Sequence, residues 1–162
     1  MPDGAGVFHA LAATPVSIAM REGAWLYPAV EIVHIAGFSV LVGSVVLFDL
    51  RVLGFARTLP VVALGQHLLR WALASVLLVV PAGLLLFTAH PVELAANPAF
   101  IVKLVLIALA GLNALAFHLL PYRSVAGWDR GAIAPPLARA GAALSILLWF
   151  GVISCGRLLA YL

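Results

Sequence analysis

Charged residues are scarce in this sequence. Only 9% of the residues are charged and 65% are hydrophobic, with a mean hydropathy of +1.17. Soluble domains carry about a quarter charged residues, so the composition excludes an ordinary soluble domain and favours a chain whose solvent is the lipid bilayer. The formal charge of +3 is scattered singly between apolar runs. It forms no basic patch, and we expect no nucleic-acid partner.

Cysteine and methionine are also rare. Cys155 is the only cysteine, which excludes a disulfide within the chain. Met1 and Met20 are the only methionines, and both precede the long apolar runs. The N-terminus lacks a basic segment followed by a continuous apolar run, so we expect no cleavable signal peptide.

Apolar runs, by contrast, are long. Four of them reach the roughly 20 residues that a membrane-spanning helix needs, which predicts spans at about residues 27–53, 67–89, 98–120 and 137–162. The connections are short, so consecutive helices are expected to be antiparallel neighbours. The predicted fold is all-α, an integral membrane up-down four-helix bundle over residues 27–162.

The first 26 residues form a separate N-terminal segment. Thr14 followed by Pro15 is typical of an N-cap with proline at the first helical position. This predicts a short helix over about residues 15–21, which is too short to span a bilayer and is expected to lie in its interface. Trp25 and Tyr27 are expected at headgroup level, as part of an aromatic belt.

Basic residues predict the orientation of the bundle. Most of them flank the first and third connections: Arg51, Arg57, Arg70, Arg123, Arg130 and Arg139. The opposite side carries Arg21, Lys103 and Arg157. The positive-inside rule therefore predicts that the first and third connections are cytoplasmic. Both termini are then expected on the outer, periplasmic side of a bacterial inner (plasma) membrane.

Ionisable residues interrupt the first predicted span. Glu31, His34 and Asp49 lie on one helical face at roughly 100° per residue. Placing such a group near the bilayer centre costs about 2.5–3.5 kcal/mol on insertion scales, so it normally faces a bundle interior and marks a functional site. Lys103 is expected roughly 8–10 Å below the outer boundary, at a depth similar to that of His34.

The histidines predict a cofactor. His67 opens the second span and His118 ends the third, so both are expected at similar cytoplasmic depth. Histidines of neighbouring helices hold b-type haem in bundles, and guanidinium or ammonium groups pair with its propionates. The candidate iron ligands are His34, His67, His90 and His118, with His34 and His118 favoured. The candidate propionate partners are Arg70, Arg123, Lys103 and Arg157.

Two stretches, EIVHIAGFSVLVGSVVLFDLRVLG and FIVKLVLIALAGLNALAFH, carry a family resemblance. The chain resembles small bacterial four-span proteins that look related to copper-resistance protein D and to the HemJ-type membrane protoporphyrinogen oxidase. The recurring marks fall on His34, Gly43, Arg51, Phe100, Lys103 and Leu104. The resemblance implies a four-helix bundle with haem b bound through the first-span histidine and the lysine nearby. Asn113 stands where that group has a further histidine.

The leading interpretation is a membrane b-type haem protein with a redox or electron-transfer role, with a quinone or a redox protein as its electron partner. If it is an enzyme, it is a haem-dependent oxidoreductase. Two alternatives stay open. One is a copper or proton transporter or channel in which Glu31, His34, Lys103 and Asp49 form a relay. The other is an accessory structural membrane subunit, and small residues such as those of Gly141–Ser145 permit oligomers.

Overall fold

The computed structural model describes residues 4–161, and within them the regular elements are all helices. The α-helices are α1 (Gly4–Ala12), α2 (Pro15–Glu22), α3 (Leu26–Leu53), α4 (Val61–Ala89), α5 (Pro91–Ala96), α6 (Pro98–Leu119) and α7 (Pro136–Leu158). A 3-10 helix, Pro121–Gly127, lies between α6 and α7. The predicted all-α fold is confirmed.

Four of these helices, α3, α4, α6 and α7, are long and apolar enough to cross a membrane. Only 11% to 28% of the residues in their most apolar stretches are buried inside the protein. Apolar side chains that face outward in such number need a hydrocarbon solvent, and a helix satisfies its own backbone hydrogen bonds there. The chain is therefore a multi-pass membrane protein.

Contacts along the first two spans show that they are antiparallel. His34, near the start of α3, reaches the carbonyl oxygen of Val79 near the end of α4 at 3.0 Å. Phe48, near the end of α3, lies against Gly65 near the start of α4, where an added Cβ would be 3.0 Å from the ring. The start of each helix thus meets the end of the other.

The last two spans are antiparallel in the same way. The amide of Asn113 in α6 donates to the carbonyl oxygen of Gly141 in α7 at 3.0 Å. Leu106, nearer the start of α6, packs against Gly151, nearer the end of α7. With both pairs antiparallel and their connections short, the bundle has the predicted up-down topology.

The spans do not all pack equally. The closely packed pairs are α3 with α4, α3 with α7, and α6 with α7, whereas α4 and α6 are not a close pair. Consecutive neighbours were expected throughout, and α4 with α6 is the exception. The short helix α5 forms the connection between these two helices. Phe87 of α4 and Phe100 of α6 stack with ring centroids 5.4 Å apart. The bundle therefore has a tight side at α3 and α7 and a looser side between α4 and α6.

The end of the bundle that carries residues 54–60 and 120–135, here called the loop end, holds the main apolar cluster. Its members are Phe48, Val52, Val61, Phe117, Trp128, Ala134, Ala138 and Ala142. Phe48 of α3 and Phe117 of α6 meet edge to face with centroids 5.8 Å apart. This contact places the ends of the two parallel helices α3 and α6 at the same depth.

Arg51 ties the two connections of the loop end together. The residue is 2% exposed, and its guanidinium donates to the carbonyl oxygens of Leu59 at 2.6 Å, Arg57 at 3.2 Å and Asp129 at 2.9 Å. The residues between α3 and α4 are thereby fixed to the residues between α6 and α7.

The second span begins earlier than predicted, at Val61 rather than at His67. Asp129 explains the difference, because it caps α4 from the other connection. Its carbonyl accepts from the Val61 N–H at 3.0 Å and its Oδ1 accepts from the Val62 N–H at 2.8 Å. These bonds satisfy N–H groups that the first turn of a helix leaves without an intrahelical partner.

The N-terminal helices lie at the opposite end of the bundle, here called the terminal end. Thr14 caps α2, accepting a hydrogen bond from the N–H of Ser17 at 3.3 Å, so the predicted cap is confirmed. Ser17 donates to the carbonyl of Thr88 at 2.6 Å, and Arg21 donates to the carbonyl of Ala89 at 3.1 Å. These bonds attach α2 to the last turn of α4, where a cation is favourable.

Candidate functional site

His34 lies partly buried between α3 and α4. Its Nδ1 is 3.0 Å from the carbonyl oxygen of Val79. A carbonyl oxygen only accepts, so Nδ1 carries a proton, and in the neutral ring Nε2 keeps its lone pair. Gly83 makes room for the ring, because a Cβ there would lie 3.0 Å from Cε1 of His34. The imidazole is thus held in one tautomer and one orientation.

Lys103 of α6 is a second ionisable residue in the bundle interior, at the same depth as His34. It is partly buried and lies near enough to His34 to interact with it electrostatically, and near Cys155 of α7. Within residues 4–161, one acidic and one basic side chain pair with each other, Glu93 and His90, at 3.3 Å. Lys103 therefore has no carboxylate partner within that part of the chain.

Aromatic rings lie beside His34 and in the neighbouring part of the bundle. Phe38 stacks beside His34 with centroids 6.5 Å apart, and Trp149 of α7 meets Phe38 edge to face at 6.0 Å. Phe87 and Phe100 stack where α4 and α6 come together. We call His34, Lys103, Val79 and Gly83 the His34–Lys103 site. It combines one free imidazole nitrogen and one cation with an apolar, aromatic wall.

The other two ionisable residues of α3 lie apart from the buried part of this site. Glu31 is exposed, although it too is near enough to His34 to interact with it electrostatically. Asp49 is buried, with 6% of its surface exposed, but it lies at the loop end. Its neighbour is the hydroxyl of Ser145, and its Oδ2 has no hydrogen-bond partner among residues 4–161. The shared helical face is thus divided between an exposed glutamate, a histidine at the terminal end and an aspartate at the loop end.

The remaining predicted iron ligands are exposed: His67, His90 and His118. His118 directly follows Phe117, which meets Phe48, and His34 precedes Phe48 by fourteen residues along the parallel helix α3. At 1.5 Å per residue this separation is about 21 Å. His34 and His118 therefore cannot be the two axial ligands of one iron. Residues 4–161 contain no group of three or more His, Cys, Asp or Glu side chains that could hold a metal ion.

The predicted propionate partners other than Lys103 are exposed as well: Arg70, Arg123 and Arg157. Arg157 donates to the hydroxyl of Tyr161 and lies over the ring of that residue. Arg70 belongs to the outward surface of α4, together with His67. Lys103 is thus the one predicted partner that is partly buried and near enough to a predicted ligand, His34, to interact with it electrostatically.

A protein-family model matches residues 20–162, and it describes a family of unknown function, DUF6644. The chain belongs to the DUF6644 family. The match covers all four spans of this DUF6644 chain and every residue of the His34–Lys103 site. No curated protein and no solved structure matches it. The resemblance to copper-resistance protein D and to the HemJ-type oxidase stays a prediction.

Two glycines, one in the site and one beside it, could have been found in the sequence only as small residues in apolar runs. Gly83 accommodates the His34 ring, and a Cβ on Gly37 would lie 2.9 Å from Cγ2 of Val79. Gly43, expected to allow a close helix approach, has nothing within 4 Å of its added Cβ. The small-residue contact of α3 therefore lies on the face of Gly37 rather than on that of Gly43.

Proposed function

We propose that this DUF6644 protein is an integral membrane b-type haem protein with a redox or electron-transfer role, and that His34 supplies an axial ligand. The observation that carries the proposal is the hydrogen bond from Nδ1 of His34 to the Val79 carbonyl. Histidines that ligate a metal usually donate their other ring N–H to a carbonyl or carboxylate, which fixes the tautomer and raises ligand basicity.

Lys103 supports the same proposal through charge. Its ammonium group is partly buried in a membrane interior without a carboxylate partner among residues 4–161, and such a cation is costly unless it meets an anion. Haem carries propionates, so Lys103 would pair with one of them while His34 would hold the iron. The residues present fit the group in both respects, a nitrogen ligand and a counter-charge.

The looser contact between α4 and α6 supports a route from the lipid. Helices that are not closely packed leave a side of the bundle where a flat apolar molecule can enter, and Phe87 and Phe100 line it. Haem, when bound, supplies one-electron chemistry. The chain's own residues orient it, pair its charge and exclude water, while a quinone or a redox protein would supply or accept the electron.

The test is an absorption spectrum of the detergent-purified protein, oxidised and dithionite-reduced, with a pyridine haemochrome assay for stoichiometry. We expect a Soret band that is lost in His34→Ala and partly restored in His34→Gly by added imidazole. His118→Ala is the matched control, since this histidine is exposed and about 21 Å away along the axis. A colourless protein after haem-replete expression refutes the proposal, as does a spectrum that His34→Ala leaves unchanged.

A second candidate, transport of protons or copper, is favoured by a different observation. Asp49 is a buried carboxyl whose Oδ2 has no hydrogen-bond partner in the described part of the chain. The buried hydroxyls of Ser44, Ser75 and Ser145 also line the interior. Buried ionisable groups in membrane helices often mark ion pathways. Liposome flux that falls in both Asp49→Asn and His34→Ala would favour transport. Flux unaffected by either variant would reject it.

The third candidate is an accessory structural subunit. Here His34→Ala and Lys103→Ala would lower stability without removing a ligand, a spectrum or a flux.

We also propose that the loop end is cytoplasmic and both termini periplasmic in a bacterial inner membrane, because exposed arginines concentrate at the loop end. Alkaline phosphatase fused to the C-terminus should then be active, and fused within residues 120–135 it should be inactive.

A further inference from the structure

A stripe of polar and aromatic side chains runs along the outward face of α4 near the loop end. It lines a shallow pocket formed by Ala63, Gln66, His67, Arg70, Trp71 and Ala74. Spacings of three and four residues place all six on one side of the helix. Every one of them is exposed, with Trp71 at 57%. The helices that pack against α4 leave this face uncovered.

The depth of the stripe follows from the length of α4. The helix has 29 residues, which is about 44 Å against a hydrocarbon core of roughly 30 Å, so about 7 Å extends at each end when the helix is centred. Arg70 stands nine residues after Val61, roughly 13 Å along the axis. Its side chain can therefore extend back to the interface, where Trp71 is also favoured.

The positive charge of Arg70 indicates which kind of ligand the stripe binds. Among the described residues the acidic and basic side chains that pair are Glu93 and His90, so no carboxylate there pairs with Arg70. Gln66 and His67 add further hydrogen-bond donors beside the guanidinium. The anion that a lipid-facing arginine meets at headgroup depth is a phosphate, and guanidinium binds phosphate oxygens in pairs.

We infer that this face of α4 is a binding site for the headgroup of an anionic phospholipid. Arg70 binds the phosphate, Gln66 and His67 donate to its remaining oxygens, and Trp71 packs along the glycerol and upper acyl chain. Ala63 and Ala74 leave room for the lipid at the two ends of the stripe. The exposed arginines elsewhere at the loop end add a positive field that favours a negatively charged headgroup.

The site is separate from the His34–Lys103 site, so each proposal can fail alone. His34 meets α4 at Val79 and Gly83, near the opposite end of the helix. Residues 70 and 79 are nine positions apart, which is about 13 Å along the axis. A variant at Arg70 is therefore expected to leave any haem spectrum unchanged.

The experiment is native mass spectrometry of the full chain, released from nanodiscs of phosphatidylglycerol or of phosphatidylcholine. We expect bound phosphatidylglycerol to survive release, and Arg70→Gln to weaken it about fivefold, the effect of one basic residue at a membrane surface. Arg139→Gln is the matched control, because Arg139 is also exposed and lies on α7 near the same end.

Three results overturn the inference. The first is equal retention of the two lipids by the native chain, and the second is an equal loss in Arg70→Gln and Arg139→Gln, which would indicate a diffuse charge effect. The third is efficient disulfide formation between two copies carrying Ala63→Cys or Ala74→Cys in phosphatidylglycerol nanodiscs, which would make the stripe a contact between chains. Thermal unfolding of each variant in the same nanodiscs shows whether it is folded.

Discussion

Replacing Arg51 by alanine tests whether the loop end depends on one buried guanidinium. The side chain is 2% exposed and donates to three carbonyl oxygens from two connections that are distant in sequence. Alanine removes all three bonds. It also releases Asp129, which caps the first turn of α4. The change should therefore loosen both connections together.

The expected loss follows from these bonds. A hydrogen bond that involves a charged group contributes about 1.5–3 kcal/mol, so three of them set an upper limit of about 4.5–9 kcal/mol. Leu59 and Arg57 are exposed, and water will satisfy part of what their carbonyls lose. We expect Arg51→Ala to lower the free energy of unfolding by about 3–5 kcal/mol, the range for a broken buried charge interaction.

The assay is reversible unfolding by SDS in mixed micelles, followed by tryptophan fluorescence. The chain has four tryptophans, so the emission follows the bundle as a whole. Trp128, which is 3% exposed in the loop-end cluster, contributes a buried ring from this end. Arg57→Ala is the matched control. Arg57 is an exposed arginine of the same connection whose side chain donates only to the carbonyl of Gly54, at 3.1 Å, and an exposed polar contact contributes about 1 kcal/mol or less.

Arg51→Lys adds a graded test, because an ammonium retains the charge but not the planar fork that reaches separate carbonyls. Its stability should fall between those of the native protein and Arg51→Ala. If the free energies of unfolding of Arg51→Ala and Arg57→Ala lie within about 1 kcal/mol of each other, the guanidinium does not join the two connections.

Three further changes probe other contacts. Gly83→Ala would place a Cβ 3.0 Å from Cε1 of His34, so it should cost about 1–3 kcal/mol by overpacking and shift any Soret band that His34 supports; an unshifted band in a haem-loaded protein would contradict the proposed ligand. Ser17→Ala should cost about 1–2 kcal/mol in thermal unfolding through its lost bond to Thr88, with the exposed Ser154→Ala as control. Asn113→Leu removes the bond to Gly141 and should cost about 0.6–1.7 kcal/mol by SDS unfolding; a more stable variant would argue against that bond.

Much of the fold was predictable because bilayer chemistry restricts the choices. A stretch of about 20 apolar residues in lipid satisfies its backbone hydrogen bonds as a helix, so the four spans and their alternating direction follow from composition and short connections. The cap at Thr14 was also predictable, since it acts within its own turn. The start of α4 was not, because its cap, Asp129, comes from a connection far along the chain.

The site was only partly predictable, because a helical wheel gives relative angles and not the direction in which a helix faces. Glu31 and His34 are about 60° apart on the wheel, yet Glu31 is exposed and His34 meets α4. Packing of Gly37 against Val79 sets that rotation. The histidines His67 and His118 were expected inside, and both are exposed.

The order of residues is enough to place this chain in a membrane, to give it four crossing helices and to set His34 and Lys103 at one depth. Those properties depend on composition and on distance along a helix. Three other properties come from packing: Val79 orients His34, Lys103 has no carboxylate partner among residues 4–161, and Arg51 joins the two connections. Such contacts depend on helix rotation, which packing between distant residues determines.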